Sequence, residues 1–332
     1  MGEYLVTGAT GYVGREVVRQ LLEQPKDVTA LGRSRPDENI PFIQADFTDR
    51  PALRQALSGR TFERVLHIGS LPGDTGDPEQ MVRVNINGCQ NMLDYAHETG
   101  VKRFVLASSI SAYEWYPATK FSPPHYMPVD EEHPCSPRDI YSTTKRMQEL
   151  LAMTYYHQYG VPASVLRLTA VVGPRGRGGG RGWREFAEKL VEGKSVQIPH
   201  FSEAELCHYV DLRDVGRMHL AAAEHPGAVG QIFNCCGPGP TRGSEFAEIV
   251  RGLVPGIEVE CGFPWSMAQG GEISFSMEKA GKMMDFEPLF SLADSIKSIK
   301  EWTDAGGLTE QAGRDESFAA GLASSASQGV EA

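Results

Sequence analysis

The tightest constraint on this chain lies near its start. A short apolar run, Tyr4-Leu5-Val6, leads into Thr7-Gly8-Ala9-Thr10-Gly11-Tyr12-Val13-Gly14, and the segment from Arg15 to Gln24 then carries Val17, Val18, Leu21 and Leu22 at helical spacing. Three glycines at three-residue intervals between a strand and a helix answer three steric demands. Gly8 permits the sharp turn out of the strand, Gly11 lets backbone approach a pyrophosphate, and Gly14 lets the helix pack closely on the sheet. The N–H groups and dipole at the helix start favour the phosphate charge. The segment predicts a dinucleotide turn, with Gly8, Thr10, Gly11, Tyr12, Val13 and Gly14 as its contacts.

The following 160 or so residues alternate short apolar runs with helical stretches, the pattern of βαβ units. Strands are predicted at 28–31, 42–45, 64–68, 104–107 and 163–167, and helices through Leu53 and Leu57, over 81–97 and over 142–158. Right-handed crossovers between such strands give an α/β, doubly wound parallel sheet. After Gly173-Pro174 the texture changes. The run from Arg175 to Gly182 is too rich in glycine for regular structure, and helices at 183–192, 244–253 and 292–302 follow, with strands at 196–198 and 231–236. The expected organisation is a dinucleotide-binding domain over 1–172, to which 207–236 returns, and a smaller substrate-binding region from 173–206 and 237–302. Gly, Ala, Ser and Gln dominate 303–332, which reads as a poorly ordered tail.

The chain carries 43 acidic and 32 basic residues, a net charge of −11. That sign disfavours nucleic acid and anionic membrane surfaces as partners. No apolar run reaches the ~18 residues of a membrane span, and the first residues lack the basic region of a signal peptide. The six cysteines form no C-x-x-C pair, so neither a metal site nor a disulfide framework is expected. A cytoplasmic protein is the expectation.

Two further segments carry chemistry. The second strand ends Leu31-Gly32-Arg33-Ser34-Arg35, with no acid to meet a ribose 2′-hydroxyl and with Arg33 placed to fork onto a 2′-phosphate, helped by Ser34 and Arg35. NADP is therefore expected ahead of NAD. Tyr141-Ser142-Thr143-Thr144-Lys145 opens a helix and sets Tyr141 and Lys145 one turn apart on one face. A neighbouring ammonium lowers the phenol pKa from its usual ~10 and makes the tyrosine a proton carrier, and the same lysine is placed to hold the nicotinamide ribose, so Tyr141 and Lys145 are expected cofactor contacts as well. A serine to orient the substrate oxygen is available at the end of the fifth strand, Ala107-Ser108-Ser109-Ile110-Ser111.

With these motifs in order, the chain resembles the extended short-chain dehydrogenase/reductase family, the group of NAD-dependent epimerases and dehydratases. The resemblance covers about residues 3–302 and includes Ala45-Asp46-Phe47, Asn85-Ile86-Asn87-Gly88 and Arg167 to Gly173-Pro174. It implies that Asp46 and Phe47 lie at the adenine, that Ser70 lies near the cofactor and that Asn85 supports the active-site architecture. The family sets its catalytic Ser or Thr four residues before a tyrosine, here Tyr113, which selects Ser109 over Ser108 and Ser111; those two read as strand-end caps. A homodimer through a helix bundle is common in the family.

Ile110 and Ser111 occupy the positions where dehydratases of the family carry acids, which argues against dehydration. Glu203-Ala204-Glu205-Leu206 stands where many sugar-nucleotide enzymes carry a diphosphate-clamping arginine, and two carboxylates there repel a diphosphate. Arg175, Arg177, Arg181 and Arg184 offer an alternative positive charge. Trp115, Tyr116, Pro117, Phe121, Pro123, Pro124, His125 and Tyr126 are suited to one wall of an apolar pocket. The expected function is NADP-dependent oxidation or reduction of a small molecule with a carbonyl or hydroxyl group, through Ser109, Tyr141 and Lys145. The alternative is a nucleotide-sugar epimerase using the same trio with bound NAD, and a third reading is a non-enzymatic NADP-binding regulator.

Overall fold

Along β1 (Gly2–Thr7) the side chains alternate between two interiors, Tyr4 and Val6 entering one apolar core and Leu5 the other. That alternation is the strand's period of two, and burial on both faces marks an interior strand of a parallel sheet. The computed structural model describes residues 2–73, 77–113, 124–176, 180–200, 202–262 and 273–312. After β1 come α1 (Tyr12–Glu23), β2 (Val28–Gly32), β3 (Phe42–Gln44), α2 (Arg50–Leu57), β4 (Phe62–His67), α3 (Pro78–Met81), α4 (Gly88–Thr99), β5 (Arg103–Ser109), α5 (Ile140–Tyr159) and β6 (Ala163–Leu168). The chain continues through β7 (Ala170–Val172), α6 (Arg181–Glu192), β8 (Ser195–Ile198), β9 (Leu206–Cys207), β10 (Tyr209–Asp211), α7 (Leu212–Glu224) and β11 (Gln231–Cys235). It closes with β12 (Thr241–Arg242), α8 (Gly243–Leu253), β13 (Glu258–Cys261), α9 (Glu278–Met284) and α10 (Leu292–Asp304).

The main sheet has seven parallel strands in the order β11-β6-β5-β4-β1-β2-β3. This is the doubly wound Rossmann arrangement, and the order reverses between β1 and β4, where ligands bind beyond the carboxyl ends of such strands. Helices α1 and α7 cover one face through Val17, Val18, Leu21, Val215 and Met218. Helices α2, α4 and α5 cover the other through Leu53, Met92, Leu93 and Ala152. Each of the valine, leucine and methionine side chains among these contributes about 1.5–3 kcal/mol when buried. A third core joins α6, α8 and α10 around Trp183, Phe186, Phe246 and Ile296, with the short pairs β7–β10 and β8–β13 along it. Among the described residues no helix is long and apolar enough to cross a membrane, and no three His, Cys, Asp or Glu side chains gather as metal ligands. All six cysteines are unbridged.

Two features depart from the sequence expectations. The helix expected over 81–97 is instead α3 and α4 joined by a π-helical turn, Val82–Asn87. The wider turn carries Asn85 inward, and apolar periodicity gives no sign of it, because a single inserted residue shifts the register without changing composition. The second concerns the tail. Residues 303–312 are not loose: a helical turn follows α10, Leu308 packs on the third core, and Gln311 Nε2 donates to the Gly176 carbonyl at 3.0 Å. Leu308 and Gln311 stand three residues apart on one helical face, a signal lost among surrounding small residues. Residues 313–332, the rest of the expected tail, lie outside the described residues.

The Gln311 bond ties the chain's last described turn to the glycine-rich loop, where Arg175 is exposed with φ +63°. Removing one buried hydrogen bond costs on the order of 1 kcal/mol. Gln311→Ala is expected to lower stability by about that amount and to speed tryptic cleavage after Arg175. Cleavage at the wild-type rate would show that the bond does not hold the loop.

Candidate active site

The site begins with the docking of α1 on the β1 turn. A Cβ on Gly14 would lie 2.0 Å from the Gly8 carbonyl oxygen, and one on Gly8, at φ +71°, would lie 2.7 Å from the Gly69 nitrogen. Only glycine allows either approach. Gly11 caps α1 without a side-chain acceptor, and the first turn holds no acidic residue. The leading N–H groups of α1 are thus left to an external anion, as the phosphates of a dinucleotide require. The cradle fits the group that the sequence motif implies.

Thr7 closes the floor of this turn. Its hydroxyl oxygen accepts from the Gly69 N–H at 3.1 Å and lies 2.8 Å from His67 Nδ1, joining the ends of β1 and β4. Tyr12 turns away from the phosphate position: its hydroxyl donates to the Gly173 carbonyl at 2.9 Å, and its ring packs where a Cβ on Gly180 would lie. The phosphate turn is thereby fastened to the start of the glycine-rich loop. Asp46 Oδ1 accepts from the Thr48 N–H at 2.9 Å, shaping the turn after β3. Phe47 presses between Gly69 and Gly88 and meets His67 edge-on at 5.4 Å.

Beyond β2, Arg33 is exposed and makes no side-chain hydrogen bond or ion pair among the described residues. Arg35, expected to assist it, is turned elsewhere. Its guanidinium donates to the Ile40 carbonyl at 3.4 Å and lies 5.2 Å from the Phe42 ring centroid.

Helix α5 is capped by Asp139, whose carboxylate accepts from the Ser142 N–H at 2.9 Å. The cap sets the rotation of the first turn and so the directions of Tyr141 and Lys145. Lys145 is buried; its Nζ donates to Ser70 Oγ and to the Ala107 carbonyl, both at 3.0 Å, and lies 5.9 Å from the Tyr141 ring centroid. Burial pushes the Lys145 ammonium down to about 8. The Tyr141 ring rests against Gly73, where a Cβ would approach it to 3.1 Å.

Asn85, carried inward by the π-helical turn, accepts from the Leu71 N–H at 2.8 Å and donates to Thr144 Oγ1 at 3.0 Å; Thr144 in turn donates to the Tyr141 carbonyl at 2.8 Å. One side chain thus sets both the loop after β4 and the first turn of α5.

Ser109 ends β5, and its Oγ accepts from the Ser111 N–H at 3.1 Å. An accepted bond uses a lone pair and leaves the hydroxyl hydrogen available to donate. The capping role expected of Ser108 and Ser111 falls to Ser109 instead. Ser108 donates to Glu149 at 2.7 Å, and the buried Ser111 Oγ has no hydrogen-bond partner among the described residues. Glu149 is held by both forks of the buried Arg167, at 3.0 and 2.9 Å, and Arg167 lies 4.6 Å from the centroid of the Tyr113 ring. Sequence reading missed this network, whose members lie far apart in the chain. Of the aromatic segment, Pro124, His125 and Tyr126 are described, and its members up to Pro123 lie outside the described residues, as does Arg177.

The fold is that of a doubly wound Rossmann protein, with Ser109 at the end of β5 and Tyr141 and Lys145 on the first turns of α5. The model of the NAD dependent epimerase/dehydratase family matches residues 4–236, and the chain belongs to that family. It is 30% identical to a UDP-glucuronate 4-epimerase of Thermodesulfobacterium geofontis over 91% of this chain and 96% of that one. It is 27% identical to tetraketide alpha-pyrone reductase 2 of Arabidopsis thaliana over 78% and 85%. Among solved structures it is similar to a UDP-glucose 4-epimerase of Thermotoga maritima with UDP-glucose, at TM-score 0.79, 22% identity and coverage of 92% and 99%. It is also similar to a UDP-glucuronic acid 4-epimerase of Bacillus cereus in complex with NAD, at TM-score 0.76, 20% identity and coverage of 91% and 99%.

Burial also sets an acid limit on the fold. His67 is pushed down to about 3, and His208 and His219 each to about 4, all by desolvation. Below the ordinary value of 6.5 the unfolded chain binds protons at these three positions and the native chain does not. Stability is therefore fully present above pH 6.5 and lost as pH falls, by up to ~1.4 kcal/mol per pH unit for each histidine. Urea midpoints measured at pH 7, 6 and 5 are expected to fall across the series; a flat series would contradict neutral burial of these rings.

Proposed function

We propose that this chain is an enzyme that moves a hydride between a nicotinamide dinucleotide and an alcohol or carbonyl carbon of a small molecule, with Ser109, Tyr141 and Lys145 as its catalytic residues. One observation carries the reading: Lys145 Nζ is fixed between Ser70 and the Ala107 carbonyl, 5.9 Å from the Tyr141 ring, and Ser109, two residues on from Ala107, keeps a hydroxyl hydrogen available to donate. When bound, the dinucleotide supplies the hydride acceptor or donor. Ser109 donates to the substrate oxygen and holds it, and Tyr141 passes the proton to or from that oxygen. The Lys145 cation favours the phenolate form of Tyr141. In this reading Gly8, Thr10, Gly11, Val13 and Gly14 seat the pyrophosphate. Asp46 and Phe47 border the adenine, Ser70 lies at the nicotinamide side and Asn85 holds the loop. Tyr12 contributes its backbone, since its hydroxyl is spent on Gly173.

Epimerisation of a nucleotide sugar is the reaction that the relatives favour. It needs no net redox change: the trio withdraws a proton from a sugar hydroxyl as hydride leaves its carbon, and returns it after the keto sugar presents its other face. The 30%-identical epimerase, alike over nearly the whole of both chains, supports this choice. A second reading, net reduction of a ketone with NADP, is favoured by the exposed Arg33 and by Glu203 and Glu205 before β9, a poor seat for a diphosphate. The reductase relative supports that chemistry.

Incubation with UDP-glucuronate or UDP-glucose and catalytic NAD is expected to yield the 4-epimer with no net change in NADH absorbance. Stoichiometric NADPH consumption with a ketone, and no epimer, would favour the second reading. Tyr141→Phe is expected to lower kcat by ~10²–10⁴ with dinucleotide affinity unchanged. Full activity in that variant would remove the tyrosine from the chemistry and favour a non-enzymatic role.

A further inference from the structure

Helix α1 opens without a cap of its own. Gly11 offers no side-chain acceptor, and the first turn holds no acidic residue. Free N–H groups keep a fixed direction only when the turn that carries them is held by something else. Two contacts hold this one: the Gly14 seat on the Gly8 carbonyl, and the side chain of Tyr12, the first residue of the helix. The Tyr12 ring packs on both the first and the third core, and its hydroxyl donates to the Gly173 carbonyl at 2.9 Å.

The support under Tyr12 is itself held from the far end of the chain. A Cβ on Gly180 would lie 2.6 Å from the Tyr12 ring, and one on Gly176 would lie 2.0 Å from the Gly180 carbonyl oxygen. Tyr12, Gly180 and Gly176 therefore stack with no room for a methyl group between them. The Gly176 carbonyl accepts from Gln311 Nε2 at 3.0 Å, and Gln311 is only 4% exposed. A tight turn after α10 carries Gln311 there. Gly306 sits at φ +82°, Thr309 and Glu310 donate to its carbonyl, and Leu308 packs on the third core. Interiors this closely packed pass a displacement on, because no void absorbs it.

We propose that Gln311 is a positioning residue for the dinucleotide diphosphate. By holding Gly176 it keeps Gly180 and Gly173 against Tyr12, and so fixes the first turn of α1. With the strap 306–312 docked, the N–H groups are aimed before the ligand arrives. With Gln311 released, that turn must be ordered on binding and affinity falls. Coupling is reciprocal, so a bound dinucleotide in turn tightens the backbone at Gly176. The diphosphate is common to NAD and NADP, and both are affected alike. The inference rests on the dinucleotide turn of the proposed function, and not on whether the reaction is epimerisation or reduction.

The test uses the full chain, by fluorescence titration with NADH and by calorimetry with ADP, which carries the diphosphate and no nicotinamide. Gln311→Glu replaces the donor with a carboxylate that the Gly176 carbonyl repels. It is expected to weaken both ligands about fivefold, the factor for one hydrogen bond. Tyr12→Phe removes only the hydroxyl bond to Gly173 and is expected to act in the same direction. Both variants work through one stack, so the loss in the double variant is expected to fall short of the product of the single losses. Ile299→Val, which removes a buried methyl from the third core, is expected to lower Tm and leave both affinities unchanged. Saturating NADH is expected to slow tryptic cleavage after Arg175 in the wild type. Unchanged affinities in Gln311→Glu and Tyr12→Phe, a fully multiplicative double variant, an equal loss in Ile299→Val, or cleavage indifferent to NADH would each overturn the inference alone. Wild-type protein that binds neither NADH nor ADP would overturn the hydride-transfer reading with it.

Discussion

Everything downstream depends on one backbone contact, the seat of Gly14 against the Gly8 carbonyl. With a Cβ only 2.0 Å from that oxygen, any other residue would force α1 off the end of β1. The displaced helix would carry its free N–H groups away from the sheet edge and pull Val17, Val18 and Leu21 from the core beneath. The same turn is pinned laterally by Thr7, which joins Gly69 and His67 across the gap between β1 and β4. That gap is the point where the strand order reverses, so the contact that docks the helix also shapes the mouth of the ligand crevice.

The start of α5, proposed to carry the chemistry, is held by a different kind of interaction. Lys145 is a buried cation, and its burial would disfavour the charge if nothing received its protons. Ser70 and the Ala107 carbonyl receive two of the three, each at 3.0 Å, which fixes the ammonium relative to Tyr141. Behind it, Glu149 and Arg167 neutralise each other at 2.9 Å inside the fold, with Ser108 donating to the same carboxylate. A buried pair of this kind adds little net stability over an apolar core but is costly to break on one side.

Cofactor selection and reaction class are decoupled by distance along the ligand. The edge beyond β2, proposed to meet an adenosine ribose, lies apart from Ser109 at the end of β5 and from Tyr141 and Lys145 at the start of α5. Belonging to the epimerase/dehydratase family therefore leaves the 2′ end to be decided locally. Locally the charges are Arg15, Arg33 and Arg35 with Asp37 and Glu38.

The sequence by itself determined the doubly wound sheet, because buried parallel strands read as apolar runs and the glycine turn has few other uses between a strand and a helix. It also determined which tyrosine and lysine stand together, since four residues on a helix are one turn. Those signals are local, with cause and effect within a few residues. Only the tertiary structure decided the rest. Asn85 reaches Thr144 through a π-helical turn, Tyr12 is spent on Gly173, and Gln311 closes on Gly176. Asp37 folds back onto Arg15 rather than standing at the tip of β2, where sequence reasoning looks for an acid. Each joins residues whose partnership depends on how loops pack in three dimensions, and short-range periodicity carries no record of that.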